Sequence, residues 1–172
     1  MKIVLLPGLD GTGRLFEAFV SCLSQDLQSI VCVYSEDASM GYGELLQFAL
    51  DCCPEDEPYL LLGESFSGPV AIEIGASRPA LLSGVILVNA FVACPRPHVA
   101  KLIRLIPDRV LTCPPKVLLR FISRQREEGI EPVLSVQNVL QSLPANLIRS
   151  RLNAVEAIDV RHMATKQQFP AS

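Results

Sequence analysis

The sequence predicts an α/β domain, built on a mostly parallel sheet of about four strands flanked by helices. Three observations lead to this class. Short apolar runs alternate with helical patterns up to residue 90. Each run is apolar at successive positions, which is typical of parallel strands covered on both faces. After Ala90 the strand-like runs stop, and prolines separate short helical pieces. We therefore divide the chain into a core, residues 1–90, and a helical region, residues 91–172.

Each element follows from its local pattern. Strands are predicted at Ile3–Leu6, Ile30–Tyr34, Tyr59–Leu62 and Val85–Asn89. Helices within the core are predicted at Leu15–Leu27, Gly43–Cys53 and Pro69–Arg78. Helical pieces after Ala90 are predicted at Val99–Ile106, Lys116–Glu128, Pro132–Ser142 and Leu147–Arg161. The fourth run has the composition of a central strand rather than an edge strand.

Composition excludes several classes of protein. The 172 residues are 49% apolar and 19% charged, as in an ordinary globular domain. No apolar run is long enough to span a membrane, and Pro7 and Gly8 interrupt the first run too early for a secretory signal. Six cysteines without a Cys-x-x-Cys pair, and only two histidines, argue against a metal site. We expect a cytoplasmic protein with reduced thiols and no cofactor.

Charge is distributed unevenly along the chain. Residues 1–90 carry 3 basic and 12 acidic side chains, a net charge of −9, whereas residues 91–172 carry 12 basic and 6 acidic ones, a net charge of +6. The overall balance is acidic and no aromatic residues interleave the basic ones, so nucleic-acid binding is not indicated. The change of sign supports a boundary near Ala90.

One short segment indicates the chemistry. The apolar run Tyr59–Leu62 leads into Gly63-Glu64-Ser65-Phe66-Ser67-Gly68, and a helical pattern follows. This is the pattern of a nucleophile elbow, a sharp turn from strand to helix that exposes a serine hydroxyl. Small residues are needed two positions before and after the serine, because bulk there would clash across the turn. Ser67 stands where a glycine is usual.

A glycine-rich loop follows the first strand. It reads Pro7-Gly8-Leu9-Asp10-Gly11-Thr12-Gly13 and precedes a helical pattern. Its glycines do not have the spacing of a dinucleotide site, and no Gly-Lys-Ser/Thr follows them as in a phosphate-binding P-loop. The loop is therefore interpreted together with the serine turn rather than as a nucleotide site.

With these two motifs the chain resembles the α/β-hydrolase family. The resemblance implies the spatial strand order second, first, third, fourth, with a lid over the site in residues 91–172. It implies that Ser65 is the nucleophile and that the amides of Leu9 and Phe66 form the oxyanion hole, supported by a turn of Gly8, Gly63, Ser67 and Gly68. The implied reaction is hydrolysis of a carboxylic ester or thioester, as in an esterase, lipase or thioesterase.

The family's acid and histidine follow later strands, and both strands are expected to be missing from this chain. His98, after the fourth strand, is the candidate base, with His162 a weaker alternative, and Glu64 is not expected to be the acid of a triad. Lid carboxylates Asp108 and Asp159 lie in no recognisable motif. We therefore expect a truncated hydrolase domain that is inactive or weakly active.

Partners follow from the same features. The expected ligand is a small ester or acyl compound. The segment 116–124 is amphipathic, with Lys116, Arg120 and Arg124 on one face, which leaves weak contact with a membrane surface as an alternative to packing on the body. An exposed fourth strand would favour self-association. Two other functions stay open: a non-catalytic binding module of hydrolase-like fold, and an acyltransferase on the same fold.

Overall fold

The computed structural model describes residues 1–95, 97–98, 105–115 and 130–164, and in them the chain forms an α/β fold. Its four-stranded parallel sheet has the order β2-β1-β3-β4, which confirms the predicted fold class and strand order. The strands are β1 Lys2–Leu6, β2 Gln28–Val31, β3 Tyr59–Glu64 and β4 Leu82–Val88.

The two central strands form the core because their side chains are buried on both faces. Val4, Leu5, Leu6 and Leu61 are all 0% exposed. Burying one such side chain contributes about 1.5–3 kcal/mol, so β1 and β3 are the most strongly stabilised part of the sheet. Residues on one face pack against the second and third helices, and those on the other face pack around Phe16.

Of the helices that flank the sheet, the first is much shorter than its pattern predicts, and the other two match their predictions to within two residues. They are α1 Glu17–Ser21, α2 Tyr42–Asp51 and α3 Gly68–Ser77. The predicted helix Leu15–Leu27 is wrong in its extent: a 3-10 turn, Arg14–Phe16, precedes α1, and the α-helix ends at Ser21. The Ser24 carbonyl accepts the Leu27 N–H at 3.0 Å, so a local turn competes with the helix there.

The helical region contributes further described elements. They are α4 Asp108–Thr112, α5 Ile130–Gln141, α6 Ala145–Ala157 and α7 Arg161–Ala164. The predicted helices Pro132–Ser142 and Leu147–Arg161 match α5 and α6 to within a few residues. The predicted helix Lys116–Glu128, with its basic face, and most of Val99–Ile106 lie outside the described residues. The division at Ala90 stays a prediction.

A second cluster of buried side chains joins the helices of this region. Leu111, Leu140, Leu143, Leu147 and Ile148 pack together, and Leu9 of the glycine-rich loop contacts them. Leu9 also contacts the main core under the sheet. The loop is thus held between the core and the helical region.

Strand β4 lies at the edge of the described sheet, which is its place in the expected strand order. Its apolar composition is that of a central strand. Ile86, Leu87 and Val88 are nevertheless 39%, 45% and 39% exposed. The expected exposed fourth strand is therefore present in the described residues.

Candidate active site

Strand register brings the two sequence motifs to the same edge of the sheet. In the pairing of β1 with β3, Leu6 lies opposite Gly63. The glycine-rich loop begins directly after Leu6, and the serine turn begins directly after Glu64. Both therefore leave the sheet at the carboxyl end of neighbouring parallel strands, where sites in such sheets form.

Ser65 occupies a strained turn between β3 and α3. Its φ is +46°, in the left-handed region that non-glycine residues rarely adopt. The 3-10 turn Ser65–Ser67 follows and leads directly into α3. Ser65 is only partly buried. This is the backbone geometry predicted for a nucleophile elbow.

The small residues around the turn have steric reasons. A Cβ at Gly63 would lie 2.6 Å from Ala71 Cβ, and one at Gly68 would lie 2.5 Å from Ala90 Cβ. Neither distance is tolerated between carbon atoms, so both positions require glycine. The close approach allows α3 to pack on β3 directly beneath Ser65.

Ser67 does more than fill the place of a glycine. Its side chain is completely buried, and its Oγ donates a hydrogen bond to the Pro7 carbonyl at 2.5 Å. Tyr34 Oη lies 2.6 Å from the same Oγ. Because the single Ser67 hydrogen goes to Pro7, Tyr34 is the donor to Ser67. The Ser67 hydroxyl therefore connects the serine turn with the glycine-rich loop and with Tyr34, which follows β2.

Sequence reasoning missed Tyr34, because an isolated tyrosine at the end of a predicted strand is indistinguishable from a core residue. Burial raises the pKa of Tyr34, and the hydrogen bond with Ser67 opposes this only in part. The phenol stays neutral and serves as a donor at physiological pH.

The glycine-rich loop forms a tight turn. The Gly11 N–H donates to the Gly8 carbonyl at 3.0 Å, and Gly11 and Gly13 have φ values of +68° and +72°. A trans peptide places the Leu9 N–H opposite the Gly8 carbonyl, so this N–H points out of the turn. No acceptor for it occurs in the described part of the chain. Its role as an oxyanion donor stays a prediction.

Phe66, the other predicted oxyanion donor, is held by Tyr42. The Tyr42 hydroxyl donates to the Phe66 carbonyl at 2.9 Å, and the two rings pack with their centroids 5.0 Å apart. Phe66 is 1% exposed. The Phe66 backbone is therefore held in place by Tyr42, the first residue of α2.

Two carboxylates flank Gly8. The Glu64 carboxylate lies close to the Gly8 backbone, since a Cβ at Gly8 would be 3.6 Å from its Oε2. Burial and, secondarily, the nearby Asp10 carboxylate raise the pKa of Glu64. Asp10 is buried and accepts hydrogen bonds from the Thr12 N–H at 2.9 Å and the Thr12 hydroxyl at 2.5 Å. Asp10 therefore holds the loop through Thr12. That Glu64 is not a triad acid stays a prediction.

Arg151 of helix α6 is a site residue that sequence reasoning missed. Its side chain is 4% exposed. One guanidinium nitrogen donates to the carbonyls of Leu9 at 3.0 Å and Asp10 at 2.6 Å, and the other donates to the Ser35 carbonyl at 3.0 Å. A signal was present in the pattern: Arg151 follows Leu147 and Ile148 at helical spacing, on the face that α6 buries.

The predicted bases are not brought to Ser65 by any described contact. His98 is exposed in the segment after β4, and no hydrogen bond joins it to Ser65 among the described residues. His162 is exposed on α7, where its charge acts on Glu73 and Asp159.

The lid carboxylates are engaged elsewhere. Asp108 pairs with Arg149 at 2.5 Å. Asp159 pairs with Arg161 at 2.5 Å, and these bonds lower the pKa of Asp159 to about 2. Neither carboxylate is shown to orient a histidine.

The described residues contain neither a metal-binding cluster nor a membrane-spanning helix. No group of three or more His, Cys, Asp or Glu side chains there is arranged to hold a metal ion. No helix in the same ranges has the length and apolar character that crossing a bilayer requires.

The sheet order, the turn at Ser65 and the neighbouring glycine-rich loop together give the chain an α/β-hydrolase-like fold. No protein-family model matches the chain, and no curated protein matches its sequence. Among solved structures it is similar to "Structure of MenH from S. aureus", with a TM-score of 0.66 and 14% identity. The match covers 93% of this chain and 68% of that one. MenH has the α/β-hydrolase fold, and at this identity the likeness supports the fold.

Replacing Gly63 by alanine should destabilise the domain. The new Cβ would overlap Ala71, so we expect the free energy of unfolding to fall by about 1–3 kcal/mol. Gly43→Ala is the matched control, because a Cβ there meets nothing within 4 Å on α2 and should leave stability equal or up to about 1 kcal/mol higher. Urea unfolding measures both. Equal midpoints for the two variants would refute the steric argument.

The Ser67 hydroxyl can be tested with a double-mutant cycle. Ser67→Ala leaves the Pro7 carbonyl and the Tyr34 hydroxyl buried without these hydrogen bonds. Each unsatisfied group should lower the free energy of unfolding by about 1–3 kcal/mol. Tyr34→Phe removes one donor and should cost about 1 kcal/mol. Because the two residues share a hydrogen bond, the double variant should lose less stability than the two single variants lose together. Additive losses in urea unfolding would show that the bond is not made.

Proposed function

We propose that this chain is a serine hydrolase of α/β-hydrolase fold that acts on carboxylic ester or thioester bonds. Ser65 attacks the carbonyl carbon, and the Leu9 and Phe66 amides bind the developing oxyanion. The bond to the alcohol or thiol then breaks, that group leaves with the proton taken from Ser65, and the acyl group stays on the serine oxygen. Water hydrolyses the acyl-serine to the free acid and regenerates the Ser65 hydroxyl. No cofactor is needed for this chemistry.

One observation carries the proposal. Ser65 adopts a positive φ at the junction of β3 and α3, beside a loop whose strand pairs with β3 in register. A strained backbone persists only where the surrounding structure enforces it, and Ser67, Gly63 and Gly68 supply that enforcement here. Strain of this kind is characteristic of serine turns that present a nucleophile.

The oxyanion hole is supported by the orientation of the loop. The turn from Gly8 to Gly11 directs the Leu9 N–H outward, and the Phe66 N–H belongs to the first turn of a helical segment, where backbone donors lack intrahelical acceptors. One donor at such a site contributes about 2.7–4 kcal/mol to transition-state stabilisation.

A histidine after β4 is the candidate proton acceptor. His98 follows β4 in sequence and is exposed, and imidazole is the side chain that most often accepts a proton from a serine hydroxyl.

A fluorophosphonate probe tests the nucleophile. We expect covalent labelling at Ser65 and its loss in Ser65→Ala, because only an activated serine reacts readily. Ser77→Ala is the matched control, since its hydroxyl is bonded to the Ile74 carbonyl on α3 and its removal should leave labelling unchanged. Mass spectrometry of the labelled peptide locates the adduct. Labelling absent in the wild type, or retained in Ser65→Ala, would refute the assignment.

A hydrolysis assay tests the candidate base. If His98 accepts the proton, His98→Ala should slow hydrolysis of p-nitrophenyl acetate by about 10²–10⁴-fold. His162→Ala should leave the rate unchanged. Equal rates in both variants would exclude His98 as the base.

The open edge of the sheet favours a second function, a non-catalytic module that associates with a second copy through β4. Ile86, Leu87 and Val88 present an exposed apolar strand edge. A surface hollow of about 550 Å³ lies beside it, between Ile72 of α3 and the segment 89–93.

Acyl transfer to an acceptor other than water, the third function open from the sequence, would use Ser65 as well.

Self-association is tested by size-exclusion chromatography over a range of concentrations. Leu87→Lys should shift the chain toward the monomer, because a charge at this edge disfavours strand pairing. Leu105→Lys is the matched control, since Leu105 is 78% exposed in the helical region. A wild-type chain that stays monomeric at every concentration would rule out association through β4.

A further inference from the structure

We propose that Arg151 is a positioning residue for the chemistry of Ser65, because its guanidinium fixes the peptide groups of the oxyanion loop from the side of helix α6. The inference rests on the proposed function. Arg151 touches neither Ser65 nor the expected position of a substrate in any described contact. It acts through the carbonyls of Leu9 and Asp10, to which it donates at 3.0 Å and 2.6 Å.

These bonds determine which way the loop donors point. The Leu9 carbonyl belongs to the peptide that joins Leu9 to Asp10, and the Asp10 carbonyl to the next peptide. The Gly11 N–H, in that second peptide, bonds back to the Gly8 carbonyl at 3.0 Å. Each peptide is planar, so anchoring the two carbonyls on Arg151 also anchors the turn that directs the Leu9 N–H. Without the anchor the peptides are free to rotate.

The site is shaped for a guanidinium. The planar guanidinium of Arg151 donates to the carbonyls of Leu9, Asp10 and Ser35 at the same time. A lysine ammonium group cannot do this in the same geometry. A Cβ at Gly11 would lie 2.5 Å from one guanidinium nitrogen. Gly11 is therefore required both by its positive φ and by the space that Arg151 occupies.

Charge supports the same assignment. Arg151 is almost fully buried, and an isolated buried cation would be strongly destabilising. The carboxylate of Asp10 interacts favourably with it, and that of Glu36 does so more weakly. The loop that Arg151 orients thus also supplies its main counter-charge.

The arrangement makes helix α6 part of the candidate site. Beside Arg151, the Ser150 hydroxyl donates to the Ala38 carbonyl, and Val155 packs against the main core. Helix α6 is fastened to the segments that follow β1 and β2. Movement of α6 would pull on the Leu9 and Asp10 carbonyls and disturb the donor at Leu9.

The test compares two conservative substitutions on the same helix. Arg151→Lys keeps the positive charge and loses the fork. Arg149→Lys is the matched control, because Arg149 bonds to Asp108 and to the Ile106 carbonyl, outside the loop. The measurement is the second-order rate constant for fluorophosphonate labelling of Ser65, at a temperature where circular dichroism shows both variants folded.

We expect Arg151→Lys to slow labelling about ten- to a hundredfold, the scale on which small misplacement of a catalytic donor acts. Arg149→Lys should stay within about twofold of the wild type, as for a surface ion pair. In Arg151→Ala, added guanidinium ion should restore part of the rate, whereas sodium ion at equal concentration should not. Equal labelling rates in folded Arg151→Lys and in the wild type would overturn the inference.

A second readout keeps this result separate from failure of the proposed function. If the wild type is not labelled at Ser65, the hydrolase proposal fails, and amide hydrogen exchange of residues 8–13 then decides the role of Arg151 in the loop. Faster exchange in Arg151→Lys but not in Arg149→Lys supports the anchoring. Unchanged exchange in Arg151→Lys overturns it, whatever the fate of the hydrolase proposal.

Discussion

The register between β1 and β3 is the constraint on which the candidate site depends. With Leu6 opposite Gly63, the glycine-rich loop and the serine turn start from adjacent positions at one edge of the sheet. A shift of one residue would turn every side chain of one strand to the other face and would move the glycine-rich loop out of line with the serine turn. The pairing is secured by the four side chains of β1 and β3 that are completely buried.

Two polar bridges then fix the glycine-rich loop that the strand register has placed beside the serine turn. Ser67 connects the serine turn to the Pro7 carbonyl, and Arg151 connects the next part of the same loop to helix α6. Both bridges end on backbone carbonyls, so they orient peptide groups rather than pack side chains. A buried hydrogen bond that is left unmade costs more than a made one contributes, so such bridges act as strict positional restraints. The loop is held from two sides by groups far apart in sequence.

Only part of the site was predictable from the residues. The strand, the serine turn and the glycine-rich loop carry local patterns, because a small residue on each side of Ser65 and glycines at positive φ are requirements of the turns themselves. Ser67 was recognised for its size, whereas its hydrogen bonds to Pro7 and Tyr34 depend on where β2 lies. Arg151 was missed because its partners lie 116 or more residues away in the chain.

By itself, then, the sequence determined the class of fold, the order of its elements and the position of the candidate nucleophile, since hydrophobic periodicity and turn chemistry act over a few neighbouring residues. Tertiary structure alone decided that helix α1 ends at Ser21 and that an arginine from the helical region reaches the loop beside Ser65. These outcomes depend on contacts between distant segments, and no local pattern records which distant group will be the partner.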